Sequence, residues 1–167
     1  PPFHTWGAGG GRRGIRIDLK SDSGRRSLLR LAESADVLIE SMRPGVAGRL
    51  GIGFDDVRKT NPGIIYCSTS GYGQDGPYAE RGGVDQIAQG LGGMMSITGL
   101  PGQGPVRAGV AISDITAGLQ LAVGILVAIH ERSRTGRGRY VHTSLLESMI
   151  GMLDFQAARW TVARETP

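Results

Sequence analysis

Apolar residues in the N-terminal half of the chain fall into three short runs, each typical of a β-strand. Residues 15–19 alternate between apolar and polar side chains, as in a strand with one buried face. Residues 36–40 and 63–69 are more continuously apolar and are bounded by turn-forming residues, as expected for buried strands. The pattern therefore predicts three strands in this half of the chain.

Helical segments are predicted between these strands. Ser21 is suited to cap a helix whose leucines and Ala32 line one face. Pro44 suits the first turn of a short helix through 47–50, and another helical turn is predicted over 54–59. Because strands and helices alternate, we expect an α/β layer with a largely parallel sheet.

The second half of the chain is more helical. After a polar, glycine-rich loop over 70–83, the pattern predicts a helix over 84–91 and a long apolar helix over 112–132. Apolar residues lie on nearly every face of this long helix, so we expect it to be central and buried. A short strand over 140–143 and a last helix through about residue 159 complete the prediction.

Composition narrows the range of partners. The 167 residues are 40% hydrophobic and 20% charged, which suits one folded domain or a piece of a larger one. The formal net charge is +4, but aromatic residues make up only 5%, too few for a base-stacking surface. The basic residues are spread along the chain in pairs. We therefore expect no nucleic-acid partner and favour an anionic small molecule with phosphate groups.

Several other classes of protein are disfavoured. The single cysteine, Cys67, excludes a disulfide within the chain and a cysteine-rich zinc site. His4, His130 and His142 stand far apart without partners at ligand spacing, so no metal is expected. The apolar run 121–129 is too short to span a bilayer, and no signal-peptide pattern is visible. We therefore expect a cytoplasmic protein without a membrane partner.

Asp114 is the most informative carboxylate. It lies at the start of the long apolar helix, among Ala, Ile and Gly residues. A first-turn aspartate often does no more than complement the helix dipole. A poorly hydrated carboxylate held ionised by helix amides is also the kind that enzymes use as a nucleophile or base. The spacing alone leaves both interpretations open.

Five runs of sequence carry a family resemblance. They are IRIDLK, ADVLIESMRPGVAGRLGIGFDDVRKTNPGIIYCSTSGYGQDGPYA, VDQIAQGLGGMMSITG, GVAISDITAGL and RTGRGRYVHTSLLES. From Gly14 onward the chain resembles the family III coenzyme A transferases, which also include 2-methylacyl-CoA racemases. The resemblance implies a Rossmann-like open, largely parallel sheet flanked by helices, in a family whose two chains form an interlocked homodimer.

The resemblance also implies a division of the chain. Residues 1–14 are expected to be an irregular Gly/Pro-rich segment, and residues 15–167 part of the large, CoA-binding and catalytic domain. The family's small domain, its N-terminal strand and a glycine-rich loop that covers the active aspartate have no counterpart here. We therefore expect a fragment of the large domain that is inactive by itself.

The resemblance assigns the catalytic positions. The family's nucleophile falls on Asp114, which implies an acyl–aspartyl anhydride followed by an aspartyl-CoA thioester. Acyl-CoA and a carboxylic acid acceptor would then be the substrates. Asp85 matches an acidic position of the family and is expected to orient the site.

CoA-contacting positions of the family fall on two segments. Two of them are arginines that are suited to bind phosphates, although both arginines would also be ordinary as solvated surface charges. The implied CoA-binding residues are Ser41, Met42, Arg43, Val46, Arg49 and Leu145.

Val84 separates the two branches of the family. Racemases carry a histidine shortly before the aspartate that matches Asp85, where this chain has Val84. Epimerisation needs two acid/base groups, and valine cannot carry a proton. Transferase is therefore the favoured activity. A racemase with another base, a non-catalytic CoA-binding or dimerising module and a mildly basic nucleic-acid binder remain as alternatives.

Overall fold

Three parallel strands form the sheet in the computed structural model, which describes Gly11 and residues 13–166. Strands β1 (Val37–Glu40), β2 (Ile65–Ser70) and β3 (Tyr140–Ser144) lie in that order across the sheet. The register pairs Glu40 with Ser68 and Ser68 with His142. The predicted α/β class with an open parallel sheet is confirmed.

Helices connect and cover the strands. Ser21 caps the first helix, because its hydroxyl accepts a hydrogen bond from the Gly24 backbone N–H at 3.1 Å. The helices are α1 (Asp22–Ala32), α2 (Val46–Arg49), α3 (Phe54–Val57), α4 (Asp85–Leu91), α5 (Ile112–Thr135), α6 (Leu145–Gly151) and α7 (Phe155–Ala158). A 3₁₀-helix (Met94–Ile97) follows α4, and a π-helix (Arg159–Ala163) follows α7.

Each face of the sheet is packed against a different layer. On one face Tyr66 packs with Ala32 of α1 and Val57 of α3. On the other face Ile65 and Cys67 pack against α5. Alternate residues of β2 therefore serve opposite layers, as the two-residue period of a strand requires.

Helix α5 runs antiparallel to the strands. Near its start, the Thr143 hydroxyl at the end of β3 donates to the Ala117 carbonyl oxygen at 3.4 Å. Near its end, Arg132 donates to the Asp36 carboxylate at 2.7 Å and to the Gly63 carbonyl oxygen at 3.1 Å, beside the starts of β1 and β2. The N-terminus of α5 therefore lies at the carboxyl edge of the sheet.

The strand predicted over residues 15–19 is wrong. These residues form no strand, and Ile15 is 73% exposed. Asp18 instead makes a turn into α1: its carbonyl oxygen accepts a hydrogen bond from the Ser21 N–H at 3.1 Å. Alternation of side chains does not suffice for a strand when no neighbouring strand supplies hydrogen bonds.

The prediction that the long helix is buried is also wrong. One side of α5 packs on the sheet, but Leu119, Val123 and Leu126 are each more than 60% exposed. No layer of the described residues covers this side. By length and composition alone α5 would suffice to cross a membrane, a test that core helices of soluble proteins also pass.

The last predicted helix is divided. Helix α6 ends at Gly151, and α7 begins only after Asp154, whose φ of 48° is incompatible with continuous right-handed helix. Of the predicted N-terminal segment, residues 1–10 and 12 lie outside the described residues.

Candidate functional site

The carboxyl edge of the sheet gathers the segments that the sequence singled out. The segment 41–49 follows β1, the loop 71–84 follows β2, and α6 follows β3. The start of α5, with Asp114, lies at the same edge. In open parallel sheets this edge is where ligands bind.

Asp85 and Asp114 are brought together at the junction of α4 and α5. Asp85 is the first residue of α4, and one carboxylate oxygen accepts hydrogen bonds from the Ser113 N–H at 2.9 Å and the Ser113 hydroxyl at 2.7 Å. Ser113 is fully buried, whereas the next residue, Asp114, is exposed. Asp85 therefore caps α5 from another helix, at the residue that precedes Asp114.

Gln89 completes this junction. Its side-chain N–H donates to the other Asp85 oxygen at 2.7 Å, and its carbonyl oxygen accepts from the Ala108 N–H at 2.9 Å. The side chain is fully buried. Both ends of Gln89 are thus satisfied, and the loop that leads into α5 is tied to α4.

The two carboxylates have opposite pKa shifts. Burial by itself would raise the pKa of Asp85, but hydrogen bonds from Ser113 and Gln89 and the charge of Arg107 lower it overall. Partial desolvation and the negative charge of Asp85 raise the pKa of Asp114. Asp114 accepts no hydrogen bond from the described residues at its carboxylate. It therefore combines partial desolvation with a carboxylate that is free of hydrogen bonds from the described residues, which suits a nucleophile.

These shifts predict the effect of Asp85→Asn on the pH dependence of any reaction that needs ionised Asp114. Asp85 has the lower pKa, so it is already ionised where Asp114 titrates and its charge opposes that ionisation. Removing the charge lowers the pKa of Asp114. The acid limb of the plot of log kcat/KM against pH is therefore expected to move to lower pH.

The control for this change is Asp22→Asn, which removes a carboxylate that pairs with Arg25 on the surface of α1. Its pH profile is expected to match that of the unsubstituted protein. An acid limb that stays in place in Asp85→Asn would show that the Asp85 charge does not act on Asp114.

The predicted CoA-contacting segment forms the turn and helix after β1. Met42 and Val46 are half-buried, whereas Ser41, Arg43 and Arg49 are exposed. Arg43 extends toward the loop after β2, where its guanidinium lies 3.3 Å from the position that a Cβ on Gly82 would take. Arg49 folds back over Gly45. The two arginines therefore contact different neighbours, and their predicted roles toward CoA stay predictions.

A cavity of about 370 Å³ lies beside this segment. Arg43 lines it together with Glu40, Ser68 and Tyr140, and an aromatic pair forms one wall: Phe54 stacks on Tyr140 with ring centroids 5.6 Å apart. The cavity thus combines an apolar wall with polar groups from the ends of the strands, as ligand pockets do.

Leu145, unlike Arg43 and Arg49, is buried. It is the first residue of α6, is 9% exposed, and packs with Ala88, Ala117 and Met149 of three different helices. Within the described residues it packs between α4 and α5 at their junction. Its predicted contact with CoA stays a prediction.

Gly71 and Gly83 cross closely, a contact that no sequence pattern predicted. A Cβ on Gly83 would lie 2.3 Å from the Gly71 Cα, so neither position has room for a side chain. The Gly71 carbonyl oxygen also accepts a hydrogen bond from the Leu146 N–H at 3.1 Å. This crossing links the Arg43 side of the site, through Gly82, to α4 and α6. The only sequence signal was the glycine richness of the loop.

Gln74 is a second residue of the site that the sequence did not indicate. It lines the cavity, and its side-chain nitrogen is buried without a hydrogen-bond partner in the part of the chain that the structure describes. A buried donor of this kind is available to a bound ligand. Val84 is the N-cap residue of α4, immediately before Asp85, and is 57% exposed.

Metal ligation has no support within the described ranges. They contain no group of three or more His, Cys, Asp or Glu side chains that could hold a metal ion.

The fold and the site define an α/β protein with a paired-carboxylate site at the carboxyl edge of a parallel sheet. Comparison with known proteins identifies the family: residues 6–167 match CoA-transferase family III, and the chain belongs to that family.

The curated relatives are CoA transferases. The chain is 38% identical to the succinyl-CoA:glutarate CoA-transferase of Mus musculus, over 92% of this chain and 35% of that protein. It is 36% identical to the acetyl-CoA:oxalate CoA-transferase of Acetobacter aceti, over 94% of this chain and 41% of that protein. The chain thus spans about a third to two fifths of the length of these relatives.

Solved structures agree with the fold. A CAIB/BAIF family protein from Brucella suis superposes with a TM-score of 0.90 at 39% identity, over 94% of this chain and 42% of that chain. Rv3272 from Mycobacterium tuberculosis superposes with a TM-score of 0.85 at 31% identity, over 92% of this chain and 42% of that chain. The resemblance and the fold implied by the sequence are confirmed.

Proposed function

We propose that this chain is the catalytic core of an acyl-CoA:carboxylate CoA transferase in which Asp114 is the nucleophile. The observation that carries the proposal is the α4–α5 junction, where Asp85 accepts hydrogen bonds from Ser113 and the next residue, Asp114, is an exposed but partly desolvated carboxylate. Relatives that transfer CoA between carboxylic acids support it.

In the first half of the proposed reaction, an Asp114 carboxylate oxygen attacks the thioester carbonyl carbon of the acyl-CoA. The C–S bond breaks, CoA leaves as the thiolate, and an acyl–aspartyl anhydride remains. The thiolate then attacks the Asp114 carbonyl carbon of the anhydride. This step releases the donor acid as its carboxylate and leaves an aspartyl-CoA thioester.

In the second half, a carboxylate oxygen of the acceptor acid attacks the aspartyl-CoA carbonyl carbon and expels the thiolate again. The thiolate attacks the acceptor's acyl carbon in the new anhydride, which yields the new acyl-CoA and regenerates the Asp114 carboxylate. No net proton transfer is needed, so the reaction requires a nucleophile rather than an acid/base pair.

Val84 supports transfer over epimerisation. A racemase must remove and return a proton at the α-carbon, which takes two titratable groups. The residue before Asp85 is an exposed valine, so α4 presents only one carboxylate next to Asp114.

The proposal includes a cytoplasmic homodimer. The apolar side of α5, with Leu119 and Leu126 more than 60% exposed, supports further protein packed against this helix. An anhydride must also be shielded from water, and Asp114 is exposed among the described residues. The shield is therefore proposed to come from outside them.

An isotope experiment tests the proposal in the complete protein that carries this chain. Succinyl-CoA or acetyl-CoA is incubated with glutarate or oxalate labelled with ¹⁸O in its carboxylates. We expect a new acyl-CoA of the acceptor acid and, after a single turnover, one ¹⁸O atom in the Asp114 carboxylate, since the attacking acceptor oxygen stays with the aspartate; repeated turnovers should label both of its oxygens. Exchange of the α-hydrogen without transfer, or release of free CoA alone, would contradict the proposal.

A further inference from the structure

Glu40, the last residue of β1, accepts hydrogen bonds that stabilise the turn at the start of the predicted CoA-contacting segment. One of its carboxylate oxygens accepts a hydrogen bond from the Met42 N–H at 2.7 Å, so the side chain closes a tight turn onto its own backbone. The other oxygen accepts a hydrogen bond from the Ser68 hydroxyl. Ser68 is the register partner of Glu40 on β2 and is 1% exposed.

A third strand supports this contact. The Tyr140 hydroxyl, on β3, donates to the Ser68 oxygen at 3.1 Å. Ser68 thus accepts a hydrogen bond from Tyr140 and donates one to Glu40. The two contacts together fix the orientation of the Ser68 hydroxyl. The network runs across all three strands of the sheet and ends at the Met42 amide, one residue before Arg43.

The segment that this network holds carries Arg43 into the cavity. The Arg43 carbonyl oxygen accepts a hydrogen bond from the Val46 N–H at 3.1 Å, which continues the turn into α2. Its guanidinium reaches toward Gly82 on the opposite side of the edge. Both Glu40 and Arg43 line the cavity.

We infer that Glu40 is a positioning residue that acts through Arg43, holding the guanidinium where it binds a phosphate of CoA. The inference rests on the proposed CoA-binding function. A carboxylate is required because both of its oxygens accept: hydrogen bonds to an ionised acceptor are shorter and stronger than neutral ones. An amide in its place has a single acceptor oxygen, so either the Ser68 hydroxyl or the Met42 N–H would face a donor instead of an acceptor.

Glu40→Gln tests the inference in the complete protein, with Glu33→Gln as the matched control. Glu33 is an exposed residue at the end of α1. Calorimetric titration with CoA is expected to show a dissociation constant raised about tenfold in Glu40→Gln, as for the loss of a hydrogen bond to a charged group, and unchanged in Glu33→Gln. KM for the acyl-CoA should rise similarly, while kcat changes little.

Two further comparisons separate positioning from a general structural role. In an Arg43→Ala background, Glu40→Gln is expected to have almost no additional effect, because the group that it positions is gone. Binding of pantetheine, which lacks the phosphates, should be the same with and without Glu40→Gln. Ser68→Ala, expected to weaken CoA binding by about threefold, is the second variant if Glu40→Gln does not fold.

The outcomes are distinct. Additive effects of the Glu40 and Arg43 substitutions, an equal loss for pantetheine, or unchanged CoA binding would overturn the inference. If the unsubstituted protein binds CoA but transfers none, the proposed function fails, and the dissociation constants still decide the role of Glu40. If it binds no CoA, both are overturned.

Discussion

Asp114→Asn is expected to reduce CoA transfer by roughly 10³-fold or more, because the amide retains the size of the side chain but has no anionic oxygen to attack the thioester. The loss should appear in kcat as well as in kcat/KM, since the nucleophile acts after the substrate has bound. The measurement is the rate of acyl-CoA formation with succinyl-CoA and an acceptor acid. Hydroxylamine should trap a hydroxamate at Asp114 in the unsubstituted protein alone.

Stability provides the control for this substitution. The pKa of Asp114 is raised in the folded state, so protonated Asp114 favours the fold and that contribution is lost as the pH rises through the raised pKa. At neutral pH the ionised carboxylate therefore opposes folding, and Asp114→Asn should melt at no lower a temperature than the unsubstituted protein. Asp114→Ala guards against reversion by deamidation. Full transfer activity in both variants would remove Asp114 from the mechanism.

Gly83→Ala is expected to have the second largest effect. A Cβ at this position would lie 2.3 Å from the Gly71 Cα and 3.3 Å from the Gly71 nitrogen and carbonyl carbon, so two backbone segments must separate. We expect a loss of about 1–3 kcal/mol in the free energy of unfolding, the range for overpacking, and at least a tenfold fall in kcat/KM. The second effect arises because Asp85 lies two residues beyond the crossing.

Gly90→Ala is the matched control, since it adds the same methyl group to the adjacent helix α4. The nearest atom there is the Met95 sulfur, at 3.6 Å, which is ordinary van der Waals contact. Alanine is a better helix former than glycine, so stability should be unchanged or slightly higher and kcat/KM unchanged. Chemical denaturation and steady-state kinetics measure both effects. Equal behaviour of the two variants would mean that the Gly71–Gly83 crossing is not needed.

Local sequence signals predicted most of the elements around the site. Ser21 and the leucine-lined face of α1 predicted that helix, and the apolar runs predicted β1 and β2 within two residues of their observed bounds. These elements depend on caps and side-chain periodicity, which are properties of neighbouring residues. The family motifs also brought Asp114, Asp85 and the 41–49 segment into consideration before any packing was known.

Two of the three errors share one physical cause. Residues 15–19 alternate like a strand but have no strand to pair with, and α5 is apolar all round but has only the sheet to pack against. Asp154 divides the last helix because its backbone has a positive φ, which the residue type alone does not predict. For residues 15–19 and for α5 the outcome depends on what lies beside the segment rather than on the segment itself.

By itself, the sequence determined the α/β class, the order of the elements from α1 to β3 and the carboxylate at the start of α5, because strand and helix patterns and first-turn residues are local. Only the tertiary structure decided that Asp85 reaches Ser113, 28 positions away, and that Glu40 reaches Ser68, also 28 positions away. It also decided that the backbones of Gly71 and Gly83 cross too closely for a side chain at either position. These contacts depend on the register of parallel strands and on where the crossover helices return, and no local pattern encodes either.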